Sequence, residues 1–195
     1  MNTAAFSTTH LMTQKISDRI AIPLLILMFA AGTGLGAFVR VYVPFTPVPL
    51  TLQTFFVLAS GVVLGARWGA VSQAVYLAGG LLGLPIFAGG AMGAAYLMGP
   101  TGGYLVGFLP AALFVGAAYR RVEKKRHPAA RYALILAAAI LIIHACGCLH
   151  LSRVCGLSIG DALRAGSLPF IPGDVIKAAA VFSLMCWRKR LQSDA

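Results

Sequence analysis

Charged side chains are scarce in this chain: 11% of its 195 positions are Asp, Glu, Lys or Arg, against about 25% in soluble domains. Acidic residues are rarer still, five beside sixteen basic ones. That shortage excludes an ordinary cytosolic domain. It also excludes a disordered chain, which combines high charge with low hydrophobicity. Cysteine is limited to Cys146, Cys148, Cys155 and Cys186, which do not form the framework of a small secreted fold. Three of them lie in apolar runs, where cysteine acts as a small hydrophobe. No Gly-x-x-x-x-Gly-Lys-Ser/Thr loop is present, so the chain has no P-loop of its own for ATP, and there is no His-Glu-x-x-His. No catalytic set for intramembrane proteolysis is visible.

What is abundant is apolar. Hydrophobic residues make up 59% of the chain, and the mean hydropathy is +0.84. These values point to an all-α integral membrane protein. Six spans of about 20 residues each leave room for short loops and no separate soluble domain. The net charge of +11 would suggest nucleic acid in a soluble protein. Here the cations cluster at the ends of apolar runs and no aromatic-basic interleaving accompanies them, so a membrane role is expected and nucleic acid is not.

The runs place the spans at about Ile20–Val39, Thr51–Leu64, Ala70–Leu82, Tyr104–Tyr119, Tyr132–Leu149 and Pro172–Trp187. The second and third are short for a full crossing. The first is too long for a signal-peptide core and is expected to be retained. The expected organisation is one membrane domain, with residues 1–19 as a cytoplasmic N-terminal segment, 20–187 as a six-transmembrane-helix bundle and 188–195 as a cytoplasmic tail. The two halves show no internal repeat, which disfavours inverted-repeat transporters.

Two connecting segments are unusual. Residues 41–50 contain Pro44, Pro47 and Pro49, which remove backbone donors and block helix. Gly83–Gly103 contains seven glycines and two prolines, with a short helix expected over Ala91–Met98. Irregular apolar backbone at membrane depth is allowed only within protein or along a cavity, so both segments are expected to cap one. With six spans, Lys15, Arg19, Arg67, Arg120, Arg121, Lys124, Lys125, Arg126, Arg131, Arg188, Lys189 and Arg190 fall on the side of the termini. Arg40, Arg153 and Arg164 fall on the other. The positive-inside rule then makes both termini cytoplasmic and both Gly/Pro-rich caps extracellular, in a multi-pass protein of the cell membrane.

Asp174 and Lys177 are the only charged residues between Gly173 and Trp187. Each costs about 2.5–3.5 kcal/mol at the bilayer centre, and their i, i+3 spacing puts them on one helix face. They fall in the outer half, below the caps, where such a pair suits a ligand site. A pair that only neutralises itself, with Asp174 favouring a helix start after Pro172, is the competing reading. Gln53, Tyr76 and Tyr104 each bring a polar handle on a membrane-buried body. Arg40 is either an anion attractor at the outer mouth or a snorkelling anchor. Ala30/Gly34 and Gly32/Gly36 are small-xxx-small pairs, fitted to internal packing or to a docking partner. His144/Cys148 and Cys146/His150 are i, i+4 pairs on different helix faces, so no metal site is expected from them.

Four stretches together suggest a family: Pro44-Phe45-Thr46-Pro47-Val48-Pro49-Leu50-Thr51-Leu52-Gln53-Thr54, Gly83-Leu84-Pro85-Ile86-Phe87-Ala88-Gly89-Gly90, Gly99-Pro100-Thr101-Gly102-Gly103-Tyr104 and Pro169-Phe170-Ile171-Pro172-Gly173-Asp174-Val175-Ile176-Lys177. The chain resembles the BioY family, the biotin-specific substrate-binding (S) component of energy-coupling-factor (ECF) transporters. The resemblance implies a biotin site near the outer face, with Asp174, Lys177, Gln53, Tyr76, Tyr104 and Phe87 as candidate binding residues. It implies no catalytic residue, no metal and no cofactor, with biotin as the transported ligand. It implies an ECF transmembrane coupling protein and cytoplasmic ATPases as partners beside membrane lipids, with Ala30, Gly32, Gly34 and Gly36 as the natural docking face. Oligomeric state stays open. The alternatives are a secondary transporter of another small amphipathic solute and an intramembrane enzyme using Asp174 and Lys177 as acid and base.

Overall fold

The computed structural model describes residues 3–44, 46–125 and 127–193, with side chains described between 20 and 191 apart from 45 and 126. Of the expected segment 1–19, the backbone of residues 3–19 is part of the first helix. The side chains of 1–19, and residues 194 and 195 of the expected tail, lie outside the described residues. The helices are α1 (Thr3–Phe38), α2 (Gln53–Leu81), α3 (Ala94–Met98), α4 (Gly102–Val122), α5 (Ala129–Cys155), α6 (Ile159–Gly166) and α7 (Ile171–Ser193). A single 3₁₀ turn, Leu168–Phe170, precedes α7. Between α1 and α2 lie the two-residue strands β1 (Arg40–Val41) and β2 (Leu50–Thr51), paired antiparallel with Arg40 opposite Thr51.

Among the described residues, five stretches are long and apolar enough to cross a membrane: Ile20–Phe38, Gln53–Leu81, Gly102–Val122, Ala129–Cys155 and Ile159–Leu191. The expected second and third spans are the two legs of α2. The helix breaks at Gly65, whose φ of 78° and ψ of −178° fall in a region open essentially only to glycine. The legs fold back on each other. Gln53 Nε2 donates to Tyr76 Oη at 2.6 Å, and Gln73 Nε2 donates to Ser60 Oγ at 3.2 Å. A Cβ at Gly69 would lie 3.0 Å from the Gly61 Cα, so glycine is what allows this close approach. With the two legs counted separately, the bundle has six helices.

Polar side chains tie the hairpin to α1 inside the membrane. Thr33 Oγ1 donates to Phe29 O at 2.8 Å and lies 3.2 Å from Gln73 Oε1. Thr33, Ser60, Ser72 and Gln73 are all fully buried, and in a medium without water their best partners are one another. This packing buries Ala30, Gly32, Gly34 and Gly36. A Cβ at Gly32 would meet the Phe56 ring at 2.6 Å, one at Gly34 would meet Ile86 at 3.4 Å, and one at Gly36 would meet Gln53 N at 3.1 Å. The small residues let α2 and the second cap approach α1. The outward face of α1 is made of large side chains, among them Leu24, Leu27 and Leu35.

Other boundaries also differ from expectation. The expected loop His150–Leu168 is mostly helix: α5 continues to Cys155, and α6 follows a left-handed Gly156. The short helix expected over Ala91–Met98 starts only at Ala94. Phe87 N donates to Ala91 O and Gly93 N to Gly80 O, which holds residues 87–93 in turns.

Most of the described basic residues gather at one end. Arg188 Nη1 donates to Val62 O and Val63 O at 2.8 and 3.1 Å, covering carbonyls freed by the Gly65 break. Lys189 Nζ donates to Lys125 O at 2.6 Å. The two Gly/Pro-rich segments meet at the opposite end, above the candidate site.

Candidate functional site

The start of α7 supplies the charge. Asp174 and Lys177, one turn apart, form an ion pair with Oδ1 and Nζ separated by 2.6 Å. Both side chains are withdrawn from solvent, at 6% and 12% exposure. Neither is left with this bond alone. Lys177 Nζ donates to Thr51 O at 3.0 Å and to Thr54 Oγ1 at 3.3 Å, which ties α7 to the first cap and the start of α2. On its other oxygen, Asp174 accepts from His144 Nε2 of α5 at 2.7 Å. An ionised carboxylate accepts only, so the imidazole proton between them belongs on Nε2. The opposite nitrogen, His144 Nδ1, is buried with no partner among the described residues.

A cavity of about 50 Å³ lies over this group. Val48, Pro49 and Thr51 close it from the first cap, and Ala88, Tyr96 and Thr101 from the second. The two caps therefore lie on the same side as each other and cover one site. Tyr104, Phe170, Leu105 and Phe108 make the apolar wall. Tyr104 is fixed in place: its hydroxyl donates to Gly166 O at 2.6 Å, and its ring stands edge-on to His144 at 6.1 Å and tilted to Phe170 at 6.2 Å. The space is large enough for only a few waters. Pockets for small molecules measure about 300–1,000 Å³, so any larger ligand requires the caps to draw back.

Asp174, Lys177, Gln53 and Tyr104 all line this cavity; Tyr76 and Phe87 do not. Those two stand one layer behind it. Tyr76 accepts the Gln53 amide and packs edge-on to Phe87 at 5.6 Å. Phe87, fully buried, stacks on cavity-lining Tyr96 at 5.2 Å. They orient Gln53 and Tyr96 and touch the cavity only through them. Arg40 is also outside the lining, with its guanidinium 5.1 Å from the Tyr42 ring.

Sequence reasoning missed His144 as a partner of Asp174, having weighed it only as a metal ligand. The available signal was an ionisable side chain inside a span, which generally faces the bundle interior and has a partner. Thr51, Thr54, Tyr96, Thr101 and Phe170 carried no separate signal, although all but Tyr96 fall within the quoted motifs. A further pattern was overlooked: Gly156-Leu157-Ser158-Ile159-Gly160 spells the Gly-x-Ser-x-Gly of a hydrolase elbow. That motif requires a strand before the serine, and here it joins two helices. Ser158 caps α6, its hydroxyl accepting from Asp161 N at 3.1 Å and donating to Asp161 Oδ2 at 2.7 Å.

The fold and the site define a class: a multi-pass membrane protein with a neutral, buried charge pair enclosed by two caps at one end of its bundle. The sequence comparisons identify it further. The chain belongs to the BioY family, whose model matches residues 7–193. It is 40% identical over 170 residues to a probable biotin transporter BioY of Pyrococcus horikoshii, covering 87% of this chain and 95% of that one. It is 36% identical over 167 residues to the biotin transporter BioY of Thermotoga maritima, covering 86% and 95%. Its structure is similar to the crystal structure at 2.1 Å of the S-component for biotin from an ECF-type ABC transporter. That match has a TM-score of 0.80 and 26% identity, covering 91% of this chain and 93% of the other.

Proposed function

We propose that this chain takes up biotin across the cell membrane as the substrate-binding subunit of an ECF-type transporter. As a BioY protein it is a transporter component and not an enzyme. The observation that carries the binding site is the Asp174–Lys177 pair sealed beneath both caps. Biotin brings an uncharged ureido ring with N–H donors and a carbonyl acceptor, an apolar thioether ring, and a valerate carboxylate. Asp174 accepts N–H bonds. Lys177 donates to the ureido oxygen or pairs with the carboxylate. Gln53 adds an amide, and Tyr104 offers an aromatic face to the rings. Tyr76 and Phe87 support the site from behind.

On this reading the ligand must displace Lys177 from Thr51 and Thr54, which loosens the first cap as the pair re-forms around the vitamin. The energy for inward release comes from outside this chain, which has no P-loop of its own. The partners are an ECF transmembrane coupling protein and cytoplasmic ATPases, in a lipid bilayer. Arg67, Arg120, Arg121, Arg188 and Lys189 at the Gly65 end support an orientation with both termini cytoplasmic and the caps outside. Biotin uptake by a host lacking its own transporter tests the proposal. Uptake that depends on co-expressed ATPases is expected. Uptake that needs no ATPase and collapses with an ionophore would assign a secondary transporter instead.

A further inference from the structure

The end of the bundle opposite the caps contains a second cavity, of about 510 Å³, whose polar lining is Tyr119, Arg120, Glu123, Lys124 and Arg188. The biotin reading makes no use of it. Three cations face one carboxylate there, a surplus of two positive charges. Among the described residues, none of those cations forms a salt bridge.

The fold positions this charge without neutralising it. Arg188 commits Nη1 to Val62 O and Val63 O. Arginine carries five N–H donors in a rigid fork, so those two bonds fix the rest of the guanidinium at the cavity wall. Arg120 lies over the Gly65 break, where an added Cβ would come within 2.8 Å of its central carbon. Tyr119, 1% exposed, packs its ring against Tyr132 at 5.5 Å behind these cations. Fixed cations of this kind are complementary to the oxygens of a phosphate.

Location distinguishes a lipid phosphate from a soluble one. Trp187 and Leu191, flanking Arg188 on α7, are 58% and 51% exposed. A tryptophan beside basic residues at the end of an apolar span marks the headgroup level of the bilayer. Basic pockets between spans at that level bind anionic headgroups, and the exposed apolar side chains beside Arg188 on α7 suit the attached acyl chains. A soluble anion makes no use of them.

We propose that this cavity binds the phosphate of an anionic phospholipid through Arg120, Lys124 and Arg188. The bound headgroup would fasten the Gly65 turn and the end of α7 to the membrane surface. Native mass spectrometry and thermal unfolding of the purified chain in neutral detergent test this without reference to biotin. Phosphatidylglycerol should be retained in preference to phosphatidylcholine and should raise the unfolding temperature.

Lys124 is exposed, so Lys124→Gln carries little risk to the fold. It should weaken phosphatidylglycerol binding about fivefold, the effect of one cation near an anionic surface. Glu123→Gln should strengthen binding by a similar factor. Arg164→Gln, which removes one cation at the capped end, should leave it unchanged. Equal retention of the two lipids, or an equal loss in Arg164→Gln, would overturn the site. Inorganic phosphate that stabilises the chain as well as phosphatidylglycerol does would overturn the lipid assignment.

Discussion

Asp174→Asn keeps the shape of the side chain and removes one charge, so its consequences can be worked out from the contacts. In the wild type the carboxylate accepts from Lys177 at 2.6 Å and from His144 at 2.7 Å. Removing one partner of a buried pair costs about 3–5 kcal/mol, because the other charge stays buried. Lys177 keeps Thr51 O and Thr54 Oγ1, which holds the loss near the lower end, about 3 kcal/mol. Binding suffers separately. A hydrogen bond to a charged group contributes about 1.5–3 kcal/mol, so losing the acceptor should weaken biotin binding roughly 10- to 150-fold. The double variant Asp174→Leu/Lys177→Met separates the two roles. Well-packed apolar replacements of a buried pair are often neutral for stability, so the unfolding temperature should recover in part, with His144 Nε2 left without its acceptor, while binding stays lost. Thermal unfolding and radiolabelled-biotin binding on the same detergent samples give both values. Wild-type affinity in Asp174→Asn, or binding restored in the double variant, would show that the pair only clips helices together.

Three other substitutions test the supports of the site. Gly65→Ala forces a Cβ into a left-handed backbone position against the Arg120 guanidinium, and should cost about 1–3 kcal/mol of stability, read as a lower unfolding temperature. Gly80→Val places a side chain where the Phe87 ring sits; it should free the second cap, seen as faster proteolysis between residues 83 and 101. Tyr104→Phe removes the bond to Gly166 O and should cost about 1 kcal/mol of stability, with a smaller loss of biotin affinity than in Asp174→Asn.

The bundle was legible in the sequence because span length and proline or glycine breaks are local properties. Pro44, Pro47 and Pro49 cannot be helical in that setting, and two charges on an apolar helix must face something. Contacts between distant segments were not legible. The His144–Asp174 bond joins residues 30 apart, and Lys177 reaches Thr51 across 126 positions. No local spacing encodes either. The α2 hairpin was half legible: the glycines around Arg67 marked a turn, but the break falls at one residue, Gly65, and the helix resumes at once. The small residues of α1 were half legible, because the pattern signals close approach without naming the approaching surface. In this chain that surface is α2 and the second cap.

Equilibrium binding of radiolabelled biotin to the purified chain alone, in detergent or nanodiscs, tests the central claim most directly. The account predicts saturable binding at one molecule per chain without any ATPase present, competed by unlabelled biotin. An absence of saturable binding by correctly folded protein would contradict it.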